Sequence, residues 1–244
     1  MPAVKRAAAW PDDIGLVLSC EHGGNRVPAE CRPLFKGRQS VLDSHRGWDP
    51  GALDLARTLA HATEAPLVAT TVSRLVVECN RSIGRPQLFS EFTRPLPRDE
   101  RTRLLDLYYH PHRGAVEAVV RSAMRTHAVV VHVGVHTFAP VLNGRTRTAD
   151  IGLLYDPRRA AESVFADMWL IALARVAPGL HVKRNYPYRG WSDGLTTTLR
   201  GLLPARRYLG IELEVNQALA LGPPKEWARA RRAIADSLRL VLSR

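Results

Sequence analysis

At 244 residues, with 45% hydrophobic and 24% charged composition, the chain has ordinary globular character and is long enough for one large α/β domain or two small ones. Its formal charge of +12 raises the question of nucleic acid, but lysine occurs only at Lys5, Lys36, Lys183 and Lys225, and the arginines are scattered without a basic run or aromatic-interleaved stripe, so no nucleic-acid partner is expected. No stretch approaches the ~18 apolar residues of a membrane span, Pro11-Asp12-Asp13 interrupts the N-terminal alanines before a signal-peptide core forms, and Cys20, Cys31 and Cys79 supply neither a disulfide framework nor a CxxC zinc pair; a cytoplasmic protein without membrane attachment is expected.

Residues 14–18, Ile-Gly-Leu-Val-Leu, predict a buried strand that runs into Ser19-Cys20-Glu21-His22-Gly23-Gly24-Asn25-Arg26-Val27-Pro28. A helix is predicted over 49–60, with Pro50 at its first position and Asp49 as its N-cap. Strands follow at 66–72 and 75–77, the second closed by Glu78-Cys79-Asn80-Arg81-Ser82. A loop at 83–97 leads into a long helix over 98–126, which Pro111 should kink or divide between His110 and His112. The apolar run 128–133 predicts a buried strand, with His136 in the turn beyond it. Further strands are predicted at 151–155 and 208–216, and helices around Phe165 and Trp169 and from Pro223 onward, where Trp227, Ala230, Ile234, Leu238 and Val241 recur at helical spacing. Residues 185–194 form an aromatic, turn-rich loop between them. Alternating strands and helices without repeats or a linker point to one α/β domain, residues 1–244, with a largely parallel sheet covered by helices.

Polar residues gather where these strands end: Glu21 and His22, Asn80 and Arg81, His136, and Glu212 with Glu214 on one face of the last strand. Histidines from separate strand ends, with carboxylates beside them, fit a catalytic zinc site of about three protein ligands and one open position. A nearby glutamate would accept a proton from water and pass it to a leaving amine, and an arginine fork would pair with a substrate carboxylate. The bland alternatives are a hydrogen-bonded His136 in a turn and an Asp49 that only caps its helix. Cys20 is not favoured as a nucleophile, because a thiolate needs a positioned base and its strand neighbours point away.

The chain resembles the N-formylglutamate amidohydrolase family in its shorter branch. The segments that carry the resemblance are residues 20–28, Ser44-His45-Arg46-Gly47-Trp48-Asp49-Pro50-Gly51-Ala52, Ser73-Arg74-Leu75-Val76-Val77-Glu78-Cys79-Asn80-Arg81, His136-Thr137-Phe138-Ala139-Pro140, residues 151–155, Asn185-Tyr186-Pro187-Tyr188, and Gly210-Ile211-Glu212-Leu213-Glu214-Val215. The family looks related to zinc carboxypeptidases and aspartoacylase. The resemblance implies a three-layer α/β/α fold with a mixed, largely parallel central sheet, and hydrolysis of a linear amide, N-formylglutamate to glutamate and formate, a step of histidine degradation. It implies one Zn²⁺ ion on His22 and His136, Glu214 as general base, and Arg81 with Asn80 as carboxylate clamp, with His45 and His112 reaching the substrate. The carboxypeptidase relatives use His-x-x-Glu for two ligands, whereas this chain has His22-Gly23-Gly24-Asn25; the third ligand is then Asp49, Glu21 or Asn25, with Asp49 preferred. The alternatives in function are a related metallo-deacylase or peptidase with a different substrate, and a non-catalytic anion-binding protein.

Overall fold

The computed structural model describes residues 13–243, and the N-terminal stretch considered above as a leader lies outside them. In chain order the elements are β1 (Ile14–Cys20), a 3-10 segment (Ala29–Phe35), α1 (Gln39–Leu42), α2 (Ala52–Thr63), β2 (Leu67–Ala69) and α3 (Arg98–Leu104). A π-helical turn (Leu105–Tyr109), α4 (His110–Thr126), β3 (Val129–Phe138), the hairpin β4 (Val141–Leu142) and β5 (Arg145–Thr146), and β6 (Ile151–Leu154) come next. The chain continues through α5 (Ala160–Val176), β7 (Val182–Arg184), α6 (Leu195–Leu202), β8 (Tyr208–Asn216), α7 (Gln217–Ala220) and α8 (Pro224–Leu242).

Six strands make one sheet in the order β2-β1-β3-β8-β6-β7. Every pairing is parallel except β6 with β8, so the sheet is mixed and largely parallel as expected. Alternation along the central strands sorts their side chains by face. Leu16, Leu18, Val131, Val133, Val135, Leu209, Ile211 and Leu213 pack with Leu55 and Leu59 of α2, Trp169 of α5 and Ile234 and Leu238 of α8. Val17, Val130 and Tyr208 face the other way, against Val116 and Val120 of α4 and Leu195 and Leu199 of α6. Each large side chain fully buried in these layers contributes about 1.5–3 kcal/mol of hydrophobic free energy.

The second face changes character along its length. Its apolar packing gives way to a buried polar chain in which His132 lies 2.8 Å from Ser19 Oγ and 2.8 Å from Tyr208 Oη. Beyond His132 the same strand positions carry Gly134, His136, Glu212 and Glu214, toward the carboxyl ends of β3 and β8, where ligands sit in open α/β sheets.

Three differences from the expected elements, and one expected helix break that falls just ahead of its predicted place, bear on the site. β3 continues to Phe138 because β8 pairs with it along its whole length, so His136 is inside a strand rather than in a turn. Residues 75–77 form no strand; Leu75, Val76 and Val77 instead pack into small clusters beneath the 83–97 loop, with Phe35, Leu88, Leu104 and Tyr109. The long helix is divided by the π-helical turn just before Pro111, whose ring and missing N–H cannot fit a regular turn. Finally, α2 starts at Ala52 with Gly51 at its N-cap in the left-handed conformation (φ 84°), and a Cβ there would lie 2.5 Å from Ala220 Cβ. Asp49 is therefore not the side-chain cap, and its carboxylate is released for other partners.

Candidate active site

His22 emerges directly from β1, and the chain then turns tightly past the residues that follow β2. A Cβ on Gly23 would stand 2.9 Å from Thr70 O, a distance real side chains do not adopt, so glycine is needed for this approach. The His22 carbonyl accepts from Asp49 N–H at 3.0 Å, tying the loop before α2 to the end of β1. His136 arrives from β3, and Glu78 and Asn80 come from the turn-rich segment between β2 and α3. That segment is braced by α4 and the π-helical turn before it: Arg113 donates to the Cys79 carbonyl at 2.9 Å, and Tyr109 Oη donates to the Arg81 carbonyl at 2.9 Å.

The two imidazoles are buried, with ring centroids 5.0 Å apart. Their Nδ1 atoms converge on one oxygen, Asp49 Oδ2, at 3.1 Å from His22 and 3.0 Å from His136. Their Nε2 atoms point outward to carboxylates, at 2.5 Å to Glu78 Oε1 for His22 and 3.0 Å to Glu21 Oε2 for His136. Asp49 and Glu78 are joined in turn by Arg74, which reaches Asp49 Oδ1 at 3.3 Å and Glu78 Oε2 at 2.5 Å. Burial and Arg74 oppose charging His22, yet the Glu78 and Asp49 carboxylates raise its pKa. Burial likewise opposes charge on His136, and its bonds to Asp49 and Glu21 override this and raise its pKa well above the ordinary value. Burial would raise the Asp49 and Glu78 pKa values, but the surrounding cations hold both carboxyls far below the usual range.

His22, Asp49 and His136 offer three ligand atoms within 4.8 Å of one another, which makes them, among the described residues, a group that could hold a metal ion. The fit is chemically consistent. Each histidine has one nitrogen turned to a common point and the other fixed by a carboxylate, the arrangement that sets the tautomer and orientation of metal-bound imidazoles. Of the three candidates for a third ligand, Asp49 is the one that meets both histidines. Glu21 lies behind His136 and also faces His112 Nε2 at 3.5 Å. Asn25 is turned away, its amide donating to Asp43 on the exposed surface.

Glu214 is buried beside this group, and its Oε2 has no hydrogen-bond partner among the described residues. Burial, reinforced by Asp49 and Glu212 and opposed by His136, pushes its pKa up to about 8. A cavity of about 220 Å³ opens here, lined by His22, Asp49, Arg74, Asn80, Arg81, His136, Glu212 and Glu214 and roofed by Tyr188, Arg189, Ser192 and Asp193 of the aromatic loop. Among the described residues Arg81 donates through Nη1, to the carbonyls of Asn80 (2.7 Å) and Asp193 (3.2 Å), with Nε and Nη2 given no partner among them. Asn80 Oδ1 accepts from Leu195 N–H at 2.7 Å, which directs its amide NH₂ toward His136.

Two of the expected substrate contacts do not line the cavity. His45 is exposed as a residue, yet partial desolvation of its ring, together with Arg74, Arg46 and Arg147, lowers its pKa. His112 is buried with its imidazole on Glu21. Conversely, sequence alone assigns no role to Glu78 and Arg74, although both stand in the Ser73–Arg81 motif. The available signal was their spacing of four with opposite charge, which points to a pair only once a turn brings them together.

Architecture and site together are those of an amidohydrolase. The family model for N-formylglutamate amidohydrolases matches residues 14–221. The chain belongs to that family. Among solved structures, a gene product of Agrobacterium tumefaciens superposes with a TM-score of 0.80 at 31% identity, covering 93% of this chain and 90% of that one. An N-formylglutamate amidohydrolase from Ralstonia eutropha JMP134 superposes with a TM-score of 0.69 at 20% identity, covering 94% and 93%, and shares the fold. A search of curated proteins returned no match.

Proposed function

We propose that the chain hydrolyses the linear amide of a small N-acyl amino acid, N-formylglutamate to glutamate and formate foremost, with one zinc ion held by His22, Asp49 and His136. The observation that supports this most directly is the pair of imidazoles whose inner nitrogens share Asp49 Oδ2 while Glu78 and Glu21 hold their outer ones. Zinc supplies Lewis acidity toward the acyl carbonyl and makes water acidic enough to lose a proton near neutral pH.

The remaining work falls to side chains. Glu214 accepts the proton of the attacking water and hands it to the leaving nitrogen, a role suited to a carboxyl whose pKa sits near the operating pH. Arg81 pairs with the substrate carboxylate through its free guanidinium edge, and the Asn80 amide donates beside it. His45 meets the substrate at the rim, and His112 acts through Glu21 rather than on the substrate. The cavity is smaller than the ~300–1,000 Å³ of drug-sized sites, which favours an amino-acid-sized substrate over a peptide. The whole chain works as one catalytic domain, in the cytoplasm.

A second reading is a deacylase for a different amine. It is favoured by Glu212, a cavity carboxylate whose hydrogen-bond partner among the described residues is Thr196 Oγ1 at 3.1 Å and which would receive a substrate N–H more readily than a second carboxylate. A panel of N-formyl and N-acetyl amino acids, assayed with added zinc, separates the two. N-formylglutamate turned over fastest supports the first; preference for an acylated amine with one carboxylate or none supports the second. No hydrolysis of any member contradicts both.

A further inference from the structure

Arg74 stands at the one point where the supports of the two sides of His22 meet. Its Nε donates to Glu78 Oε2 at 2.7 Å and Nη2 lies 2.5 Å from the same oxygen. Its Nη1 donates to Asp49 Oδ1 at 3.3 Å. The oxygens left over on those two carboxylates are the ones that face His22, Glu78 Oε1 toward Nε2 and Asp49 Oδ2 toward Nδ1. The backbone that carries Arg74 is itself fixed, with Arg74 N–H and Ser73 Oγ both donating to the Gly47 carbonyl. The Asn80 N–H also donates to Glu78 Oε1 at 2.9 Å and His136 Nδ1 also meets Asp49 Oδ2 at 3.0 Å, but the guanidinium is the group that grips both carboxylates at once, and through them it bears on the tilt of the His22 imidazole.

We infer that Arg74 is the positioning residue of this site: its planar fork turns Asp49 and Glu78 so that His22 presents Nδ1 to the point it shares with His136. Because this role presupposes the metal site proposed above, two opposite consequences of its charge must be weighed. A fixed cation next to a bound dication is repulsive, so charge alone would make removal of Arg74 tighten zinc binding. Orientation acts the other way, since two buried carboxylates would lose charge-assisted hydrogen bonds on the oxygens turned away from His22 and be held less firmly. Outer-shell partners of metal ligands are worth 10–100-fold in affinity, and the fork geometry is what lysine, with a single point donor, cannot reproduce. Orientation outweighs repulsion here.

The test is the zinc dissociation constant, by chelator competition, of the wild-type chain, Arg74→Lys and Arg74→Met, with melting of the metal-free proteins by circular dichroism as a check on folding. Both variants should bind zinc about 10–100-fold more weakly, Arg74→Lys doing so with a near-native melting temperature and with altered visible absorption of the cobalt-loaded protein. Wild-type affinity in Arg74→Lys, or tighter binding in Arg74→Met, overturns the positioning role while leaving the metal site standing. If Arg74→Met does not fold, Arg74→Lys decides alone. A wild-type chain that takes up no zinc overturns the metal site and this role with it.

Discussion

Glu214 and His136 are register partners on the adjacent parallel strands β8 and β3, and both side chains line the same cavity. This places a carboxylate oxygen that has no hydrogen-bond partner among the described residues next to an imidazole that faces Asp49. Glu214→Gln should retain the metal and lose about 10²–10⁴ in kcat, the usual worth of general acid–base catalysis. Glu212→Gln, one pleat away, should leave kcat within a few-fold and act on KM. Steady-state kinetics of the two variants side by side checks this, and the reverse pattern would move the base to Glu212.

Arg81 keeps its Nε and Nη2 donors while its Nη1 is anchored on two carbonyls. Arg81→Ala should therefore raise KM for substrates bearing a carboxylate much more than for analogues in which that group is an amide. A lost charged hydrogen bond of ~1.5–3 kcal/mol corresponds to roughly 10–150-fold. An equal effect on both substrate types would argue against a carboxylate clamp.

Metal uptake should depend steeply on pH. The carboxylates around His22 and His136 raise both pKa values, so each imidazole holds a proton that a metal ion must displace. Zinc affinity should rise with pH through the neutral range, by up to about a decade per unit for each proton released. Isothermal titration in buffers of different ionisation enthalpy measures that release directly. A pH-independent affinity would mean the histidines are not ligands.

His132 gives the fold its own acid sensitivity. Burial, seconded by Arg200, lowers its pKa to about 4 against the opposing pull of Glu21, so the folded chain keeps it neutral while the unfolded chain protonates it near 6.5. The unfolded state then binds more protons between these values, and stability is lost as pH falls from about 6.5 toward 4, by about 3 kcal/mol for this group. Chemical denaturation of wild type and His132→Gln across that range should give converging curves as the pH drops; parallel curves would show that His132 is not the source.

Much of this was legible from residue order, because the deep strands announce themselves as apolar runs and the sheet's largely parallel form follows from their alternation with helices; its mixed character, the antiparallel pairing of β6 with β8, is implied by the family resemblance alone. The turn reading of His136 has a definable origin. The run of valines ends at Val133, but Val131, Val133 and Val135 continue on one face with His132, Gly134 and His136 on the other, a period of two that marks a strand with one polar face. Residues 75–77 were apolar enough for a strand but had no neighbour to pair with, and burial among Phe35, Leu104 and Tyr109 satisfied them instead. Glu78 and Arg74 escaped notice because their partners, His22 and Asp49, lie 56 and 25 residues away, and only the folded chain selects those pairings. Asp49 illustrates the same point: its local pattern spelled a helix cap, and tertiary contact with two histidines outweighed it.

A single catalytic ion held by His22, Asp49 and His136 is the proposal on which the other expectations rest. Elemental analysis of purified wild type and His136→Ala, after equilibration with zinc and removal of excess, tests it most directly. One zinc per wild-type chain and close to none in the variant is the predicted result; equal zinc in both, or none in the wild type, would contradict it.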